Sequence, residues 1–122
     1  MMSYKQKILL SLLLEFVAGS AFAFENRCGW LQNPTPANWW LNDKDGSWTL
    51  SVQGGHSVND NDWNKLPKIK QNEFVRINNN YGYSCVCLRV DTNKKKKTIT
   101  KIYGGKQLLL KKCLEDRSLP KP

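Results

Sequence analysis

Few residues in this 122-residue chain have types and spacing that could do chemistry. The single histidine, His56, stands beside Ser57 and four residues before Asp60, which spells a nucleophile, a base and an acid. Neighbouring residues in one loop do not converge as a triad does, and no G-x-S-x-G turn is present. His56 therefore reads as a solvent-exposed loop histidine. Glycosidic bond hydrolysis needs two carboxyl groups facing each other across a cleft. Asp43, Asp45, Asp60 and Asp62 all fall in turn or loop segments and read as turn-makers. The run Asp43-Lys44-Asp45-Gly46 has the look of part of a calcium loop, but the frame fails: Leu41 would be the first ligand and Val52 the twelfth, where a bidentate Glu is required. Cys85-Val86-Cys87 could offer two thiolates to a soft metal. With Cys28 and Cys113 available in an oxidising compartment, disulfides are the better reading, and the C-x-x-C of a redox motif is absent. The expectation is a protein that is not an enzyme and carries neither metal nor cofactor.

Two residue groups remain, tryptophans and lysines. Five tryptophans are present, and Trp39 and Trp40 are adjacent, so in a strand they point to opposite faces. With Trp63 they form either a contact surface, as exposed tryptophans in small exported β-proteins often do, or a core filling. The lysines include a run, Lys94, Lys95, Lys96 and Lys97, followed by Lys101, Lys106, Lys111 and Lys112. The formal net charge is +9. Basic strands with aromatics could describe an OB-type nucleic-acid platform, but export argues against nucleic acid. Anionic envelope polymer, lipid head groups or an acidic protein suit the charge, while the bland reading is a solvated hairpin tip that discourages edge pairing. The candidate binding surface is thus Trp39, Trp40, Trp63 and Lys94 to Lys97.

These groups need elements to hold them. Lys5 and Lys7, the apolar run Ile8 to Val17 and the small-x-small pattern Ala21-Phe22-Ala23 read as a secretory signal over residues 1–23, cut after Ala23. The run is shorter than the ~20 residues that span a bilayer, and no second apolar segment follows, so no transmembrane anchor is expected. Residues 24–122 read as a single small β domain.

The clearest pattern is a hairpin. Trp39-Trp40-Leu41 is a short strand, Asn42 to Gly46 a tight turn, and Trp48 to Gln53 alternates apolar and polar. Trp48, Leu50 and Val52 are expected inside, with Thr49, Ser51 and Gln53 outside. Phe24 to Gln32 reads as a lead-in segment, Asn33 to Asn38 as a proline-rich connector, and 55–72 as a polar loop. Further strands are expected at Glu73 to Ile77, Tyr83 to Asp91, Thr98 to Tyr103 and Gln107 to Leu110, with Gly104-Gly105 a turn between the last two and one helical turn at Cys113 to Arg117. Val86, Leu88 and Val90 share one face, and Cys85, Cys87 and Arg89 the other. The fold class is mostly β, a small disulfide-stapled antiparallel barrel or sandwich of five to six short strands with little helix.

Four cysteines allow three pairings. Cys85 and Cys87 are two apart on one strand face, where a bond between them would be strained. Cys28 and Cys113 therefore take one each. Cys28–Cys85 with Cys87–Cys113 is the favoured assignment, and the alternative stays open.

Taken as a set, Cys28-Gly29-Trp30, Asn33-Pro34-Thr35-Pro36-Ala37-Asn38, Trp40-Leu41, Asp43, Gly46, Trp48, Gln53-Gly54-Gly55 and Gly82-Tyr83-Ser84-Cys85-Val86-Cys87 resemble a family of small exported bacterial proteins, a domain of unknown function. The resemblance covers nearly all of 24–122. It brings no activity and implies a bacterial, periplasmic setting; His56 and the four-lysine tip lie outside its pattern. The expected function is a non-catalytic periplasmic binding protein, an inhibitor- or immunity-type partner of an envelope-acting protein. The alternative is a binding module for anionic glycan or envelope polymer that uses the lysines and tryptophans.

Overall fold

The computed structural model describes residues 24–122, so the proposed signal segment lies outside the described residues. Six strands form one sheet: β1 (Glu25–Thr35), β2 (Asn38–Asp43), β3 (Gly46–Ser51), β4 (Phe74–Asn78), β5 (Tyr81–Asn93) and β6 (Thr98–Leu108). The spatial order is β1-β2-β3-β6-β5-β4, and β1 also pairs with β5, so five strands close into a ring with β4 added at the start of β5. All pairings are antiparallel except β3 with β6, a parallel contact at Thr49 and Thr98. Two short helices complete the chain, α1 (Asp60–Trp63) and α2 (Leu110–Leu114), with a 3-10 turn at Gln71–Glu73. The fold is mostly β and barrel-like, as the turn spacing predicts.

The ring encloses an apolar core in which Leu31, Leu41, Trp48, Leu50, Val86, Leu88, Val90 and Ile99 meet, with Val58 and Ile102. Val86, Leu88 and Val90 do share the inner face. On the outside of β1 and β5 a second cluster forms, where Trp30, Cys85 and Cys113 pack with Tyr83, Leu108, Leu110 and Leu119. The C-terminal segment lies over it, and Trp30 Nε1 donates to the Pro120 carbonyl at 3.1 Å.

Several expectations need correcting. Phe24 to Gln32 is not a lead-in: from Glu25 it is the long strand β1, which continues through Pro34. Its hidden character has a physical cause: Glu25 and Arg27 put charge on the inner face, and from Gly29 to Asn33 both faces are buried, so the polar–apolar alternation of a half-buried strand is lost. Gly104-Gly105 is not a turn but the middle of β6, beside a register shift. A Cβ at Gly105 would stand 2.5 Å from the Cys87 carbonyl oxygen, so the glycine marks close backbone approach. The expected strand at Gln107 to Leu110 is therefore the end of β6 and the start of α2. The helical turn begins earlier than expected, at Leu110. Val52 is exposed and Ser51 buried, because β3 ends at Ser51, opposite Trp39, across a bulge between Trp39 and Trp40. Within 55–72, α1 is capped reciprocally: Asp62 N–H donates to Asn59 Oδ1, and Asn59 N–H to Asp62 Oδ2.

The disulfides are Cys28–Cys87 and Cys85–Cys113, which reverses the favoured pairing. Cys28 and Cys87 are directly opposed in the β1–β5 ladder, with Cα atoms 4.0 Å apart. Cys85, two residues back on the same outer face, lies beneath α2 and meets Cys113 from above.

Candidate functional site

The structure disperses the candidate catalytic residues. Segment 54–58 folds back on β3, with Val52 N–H donating to the His56 carbonyl and Val58 N–H to that of Leu50. This docking half-buries His56, and its Nε2 lies 2.7 Å from the Ile99 carbonyl oxygen, to which it donates. His56 is thus a backbone tie rather than a free loop side chain. Ser57 Oγ donates to the Val58 carbonyl instead of engaging the imidazole. Asp62 is buried, and its Oδ1 accepts the Ile102 N–H at 2.8 Å, which pins α1 to β6.

Asp43 and Asp45 belong to a different structure, a charged knot at one end of the ring. Arg27, on the inner face of β1, is buried, and its Nη1 donates to Asp43 at 2.8 Å and Asp45 at 3.0 Å, while Nη2 pairs with Glu25. The guanidinium carbon sits 3.9 Å from the centroid of the Trp48 ring, and Trp48 Nε1 donates to Asp43 Oδ1 at 3.0 Å. Lys97 Nζ approaches the same ring to 4.4 Å and donates to the Asp45 carbonyl. Burial works against the Arg27 cation, yet the three carboxylates hold its pKa above the ordinary value. Burial also pushes Glu25 up, but the Thr92 hydroxyl and Arg27 outweigh it and leave the carboxyl below its usual range. Asp45 is held low by its hydrogen bond from Arg27. Among the described residues, no group of three or more His, Cys, Asp or Glu is placed to hold a metal ion.

The tryptophans divide. Trp30 and Trp48 are buried in the outer and inner clusters. Trp39 and Trp63 lie against each other, ring centroids 5.4 Å apart, and pack half-buried on the core. Trp40 opposes Gln32 of β1 and Thr49 of β3 on the outer face and stays half-buried. The structure thus brings Trp39 to Trp63 but does not join either with Lys94 to Lys97. That lysine run is the exposed β5–β6 hairpin tip, turned by Asn93 Oδ1 accepting from Lys96 N–H. Lys97 is tied to the Trp48 knot, so the tip is more than a solvated turn.

Sequence reasoning missed Arg27. Its signal was there in principle, an Arg two residues from Glu25 with two aspartates around the next hairpin, but only the β1–β2 pairing shows that they meet. It also missed a second lysine group. Lys68, Lys70, Lys106 and Lys112 come from a loop, β6 and α2 to line one concave surface.

A family described as "Protein of unknown function (DUF4087)" matches residues 22–120. The chain belongs to this family. No curated protein and no solved structure matches it. The Cys28-Gly29-Trp30 block of the DUF4087 chain now has a physical reading. Cys28 bridges β1 to β5, Trp30 anchors the outer cluster, and a Cβ at Gly29 would collide with the Asn42 carbonyl of β2. Among the described residues no helix is long and apolar enough to cross a membrane, and all four cysteines are in disulfides, which fits an oxidising compartment.

Proposed function

We propose that this chain is a non-catalytic binding protein of the bacterial envelope, exported to the periplasm, whose partner is anionic. One observation carries the reading: the protein consumes most of its acids internally and leaves all but one of its described lysines without an acid partner among the described residues. Of nine carboxylates in 24–122, seven are held by hydrogen bonds within the fold: Glu25, Asp43, Asp45, Asp62, Glu73, Asp91 and Asp116. Of the thirteen lysines described, only Lys44 has a carboxylate within ion-pair distance among the described residues. A surface of this kind raises the local concentration of anionic partners and speeds their encounter.

Fold analogy supports a polymer as the partner. Small Greek-key β-barrels of the OB type take oligonucleotides and oligosaccharides across one outer strand face and its flanking loops. Here Trp40 and Thr49 lie on the outer face of β2 and β3, with the lysine tip beyond the parallel contact. An acidic protein, as an inhibitor-type partner would be, is the second reading, and the same unpaired lysines favour it.

The test is a pull-down from an envelope fraction at low and high salt. Salt-sensitive retention of cell-wall polymer or lipopolysaccharide supports the glycan reading, and a single acidic protein supports the inhibitor-type reading. Retention of neither at low salt would sink the proposal.

A further inference from the structure

We infer that the cleft lined by Lys68, Lys70, Lys106 and Lys112 is a phosphate-binding site. The inference rests on the anionic-partner reading and gives it a place and a chemistry. The cleft is an open concavity of about 460 Å³ between the segment before the 3-10 turn, the end of β6 and α2. Leu108 and Leu109 also line it.

The cleft is built rather than incidental. Gln107 spans it: its Oε1 accepts the Lys70 N–H at 2.6 Å, and its Nε2 donates to the carbonyls of Lys70 and Glu73. Those bonds fasten the Lys68–Lys70 segment beside β6. Glu73 Oε2 accepts the Leu110 N–H at 2.9 Å and so fixes the start of α2, which carries Lys112. Glu73 is the one carboxylate lining the cleft, and its bond to the backbone commits it to structure. Among the described residues no cleft lysine has an acid within ion-pair distance.

Four lysines line one concavity, and a concentration of positive charge of this kind suits a multiply charged anion. The residue types narrow the choice. No arginine lines the cleft, so neither a carboxylate nor a phosphate would meet a two-pronged fork there; lysine ammonium groups serve phosphate as point charges. Gln107, the one neutral amide in the lining, is spent on the backbone, and no aromatic ring is present. A neutral sugar would find neither stacking nor unoccupied amide donors there.

Phosphate can reach the cleft on a soluble chain or on a lipid headgroup, and the test separates them. Binding of the full chain to polyphosphate, to phosphatidylglycerol vesicles and to polyglutamate would be measured for three proteins. These are the wild type, a Lys70→Gln/Lys106→Gln variant and a Lys95→Gln/Lys96→Gln variant of equal net charge. The expected result is that the cleft variant loses about tenfold in affinity for a phosphate probe, as removal of two charge-assisted contacts implies, while the tip variant loses less than about twofold. Loss toward polyphosphate identifies a soluble source, and loss toward vesicles alone a lipid source. Equal losses in both variants would overturn the cleft and leave the anionic-partner reading standing. Binding of polyglutamate as tight as that of either phosphate probe would overturn phosphate and leave the same reading. Wild-type protein that binds none of the three probes would overturn both. Unchanged melting temperatures of the two variants show that a loss is not unfolding.

Discussion

The Arg27 guanidinium lies 3.9 Å from the Trp48 ring centroid while both side chains hydrogen-bond the same carboxylate, Asp43. Asp43 is therefore satisfied from two strands at once, and β1, β2 and β3 are locked at one end of the ring. Replacing Arg27 with Met leaves a buried carboxylate without its cation, which costs about 3–5 kcal/mol. Urea denaturation of the variant should show a midpoint well below wild type. Lys at this position cannot span three carboxylates as the planar fork does, so Arg27→Lys should recover only part of the loss. A midpoint for Arg27→Met within error of wild type would remove the knot from the account of stability.

The same knot sets an acid limit. Glu25 and Asp45 titrate lower in the folded protein than their ordinary values of 4.5 and 3.8. As pH falls, the unfolded chain therefore takes up these protons before the folded one does. Their stabilisation is complete above the ordinary values and drains away as pH drops through them toward the lower folded values. Thermal melts of the wild type should hold steady from neutrality to about pH 5 and fall below it. Arg27→Met, lacking the cation that depresses both groups, should show a shallower acid slope. Parallel slopes in the two proteins would assign the acid sensitivity elsewhere.

The two disulfides do different jobs, and their loss should look different. Cys28–Cys87 joins strands already paired by the long β1–β5 ladder and closes a separation of 59 residues. Cys85–Cys113 fastens the C-terminal segment over Trp30. Each should cost about 2–5 kcal/mol on removal, as in other small disulfide-bonded domains. Paired replacement of Cys85 and Cys113 by Ser should also release the segment beyond Leu110 to limited proteolysis, because Glu73 and the outer cluster hold Leu110 itself, whereas past it Leu119 and the Pro120 bond are the remaining ties. Replacement of Cys28 and Cys87 should lower stability while leaving that segment protected. The same cleavage pattern in both variants would contradict this division of labour.

How far this was legible in the sequence depends on where each residue's partner lies. The Trp39–Ser51 hairpin was readable because strand, turn and strand are contiguous. β5 was readable because Val86, Leu88 and Val90 alternate with residues of the other face. β1 was not, since its inner face begins with the charged Glu25 and Arg27 and both faces are buried from Gly29 to Asn33, so its side chains carry no apolar period. Without a period in β1, nothing in the sequence places Cys28 opposite Cys87, which is why the favoured pairing is the reverse of the one the structure has. The candidate surface fared similarly. Lys94 to Lys97 are adjacent in sequence and so legible, whereas Lys68, Lys70, Lys106 and Lys112 are gathered by the Gln107 and Glu73 bonds, each across 34 residues or more. Trp39 and Trp63, likewise, lie 24 residues apart, and their tilted ring contact is set by the docking of α1 rather than by any local pattern.

That pair supplies the last expectation. Trp39 emerges on the inner side of the β2 bulge, opposite Ser51, and its ring rests against Trp63 from α1 over the edge of the core. Trp40, one residue on, faces outward between Gln32 and Thr49. Truncating Trp39 removes a packed aromatic and its contact with a second one, so Trp39→Ala should cost about 2 kcal/mol or more. Trp40→Ala removes a half-exposed side chain from a polar row and should cost about 1 kcal/mol or less. Binding to envelope material should divide in the opposite sense, falling in folded Trp40→Ala and holding in Trp39→Ala at temperatures where it remains folded. Denaturation curves read alongside the pull-down decide the matter. If Trp40→Ala is the less stable protein, Trp40 is a packing residue and the outer face of β2 loses its claim as a contact surface.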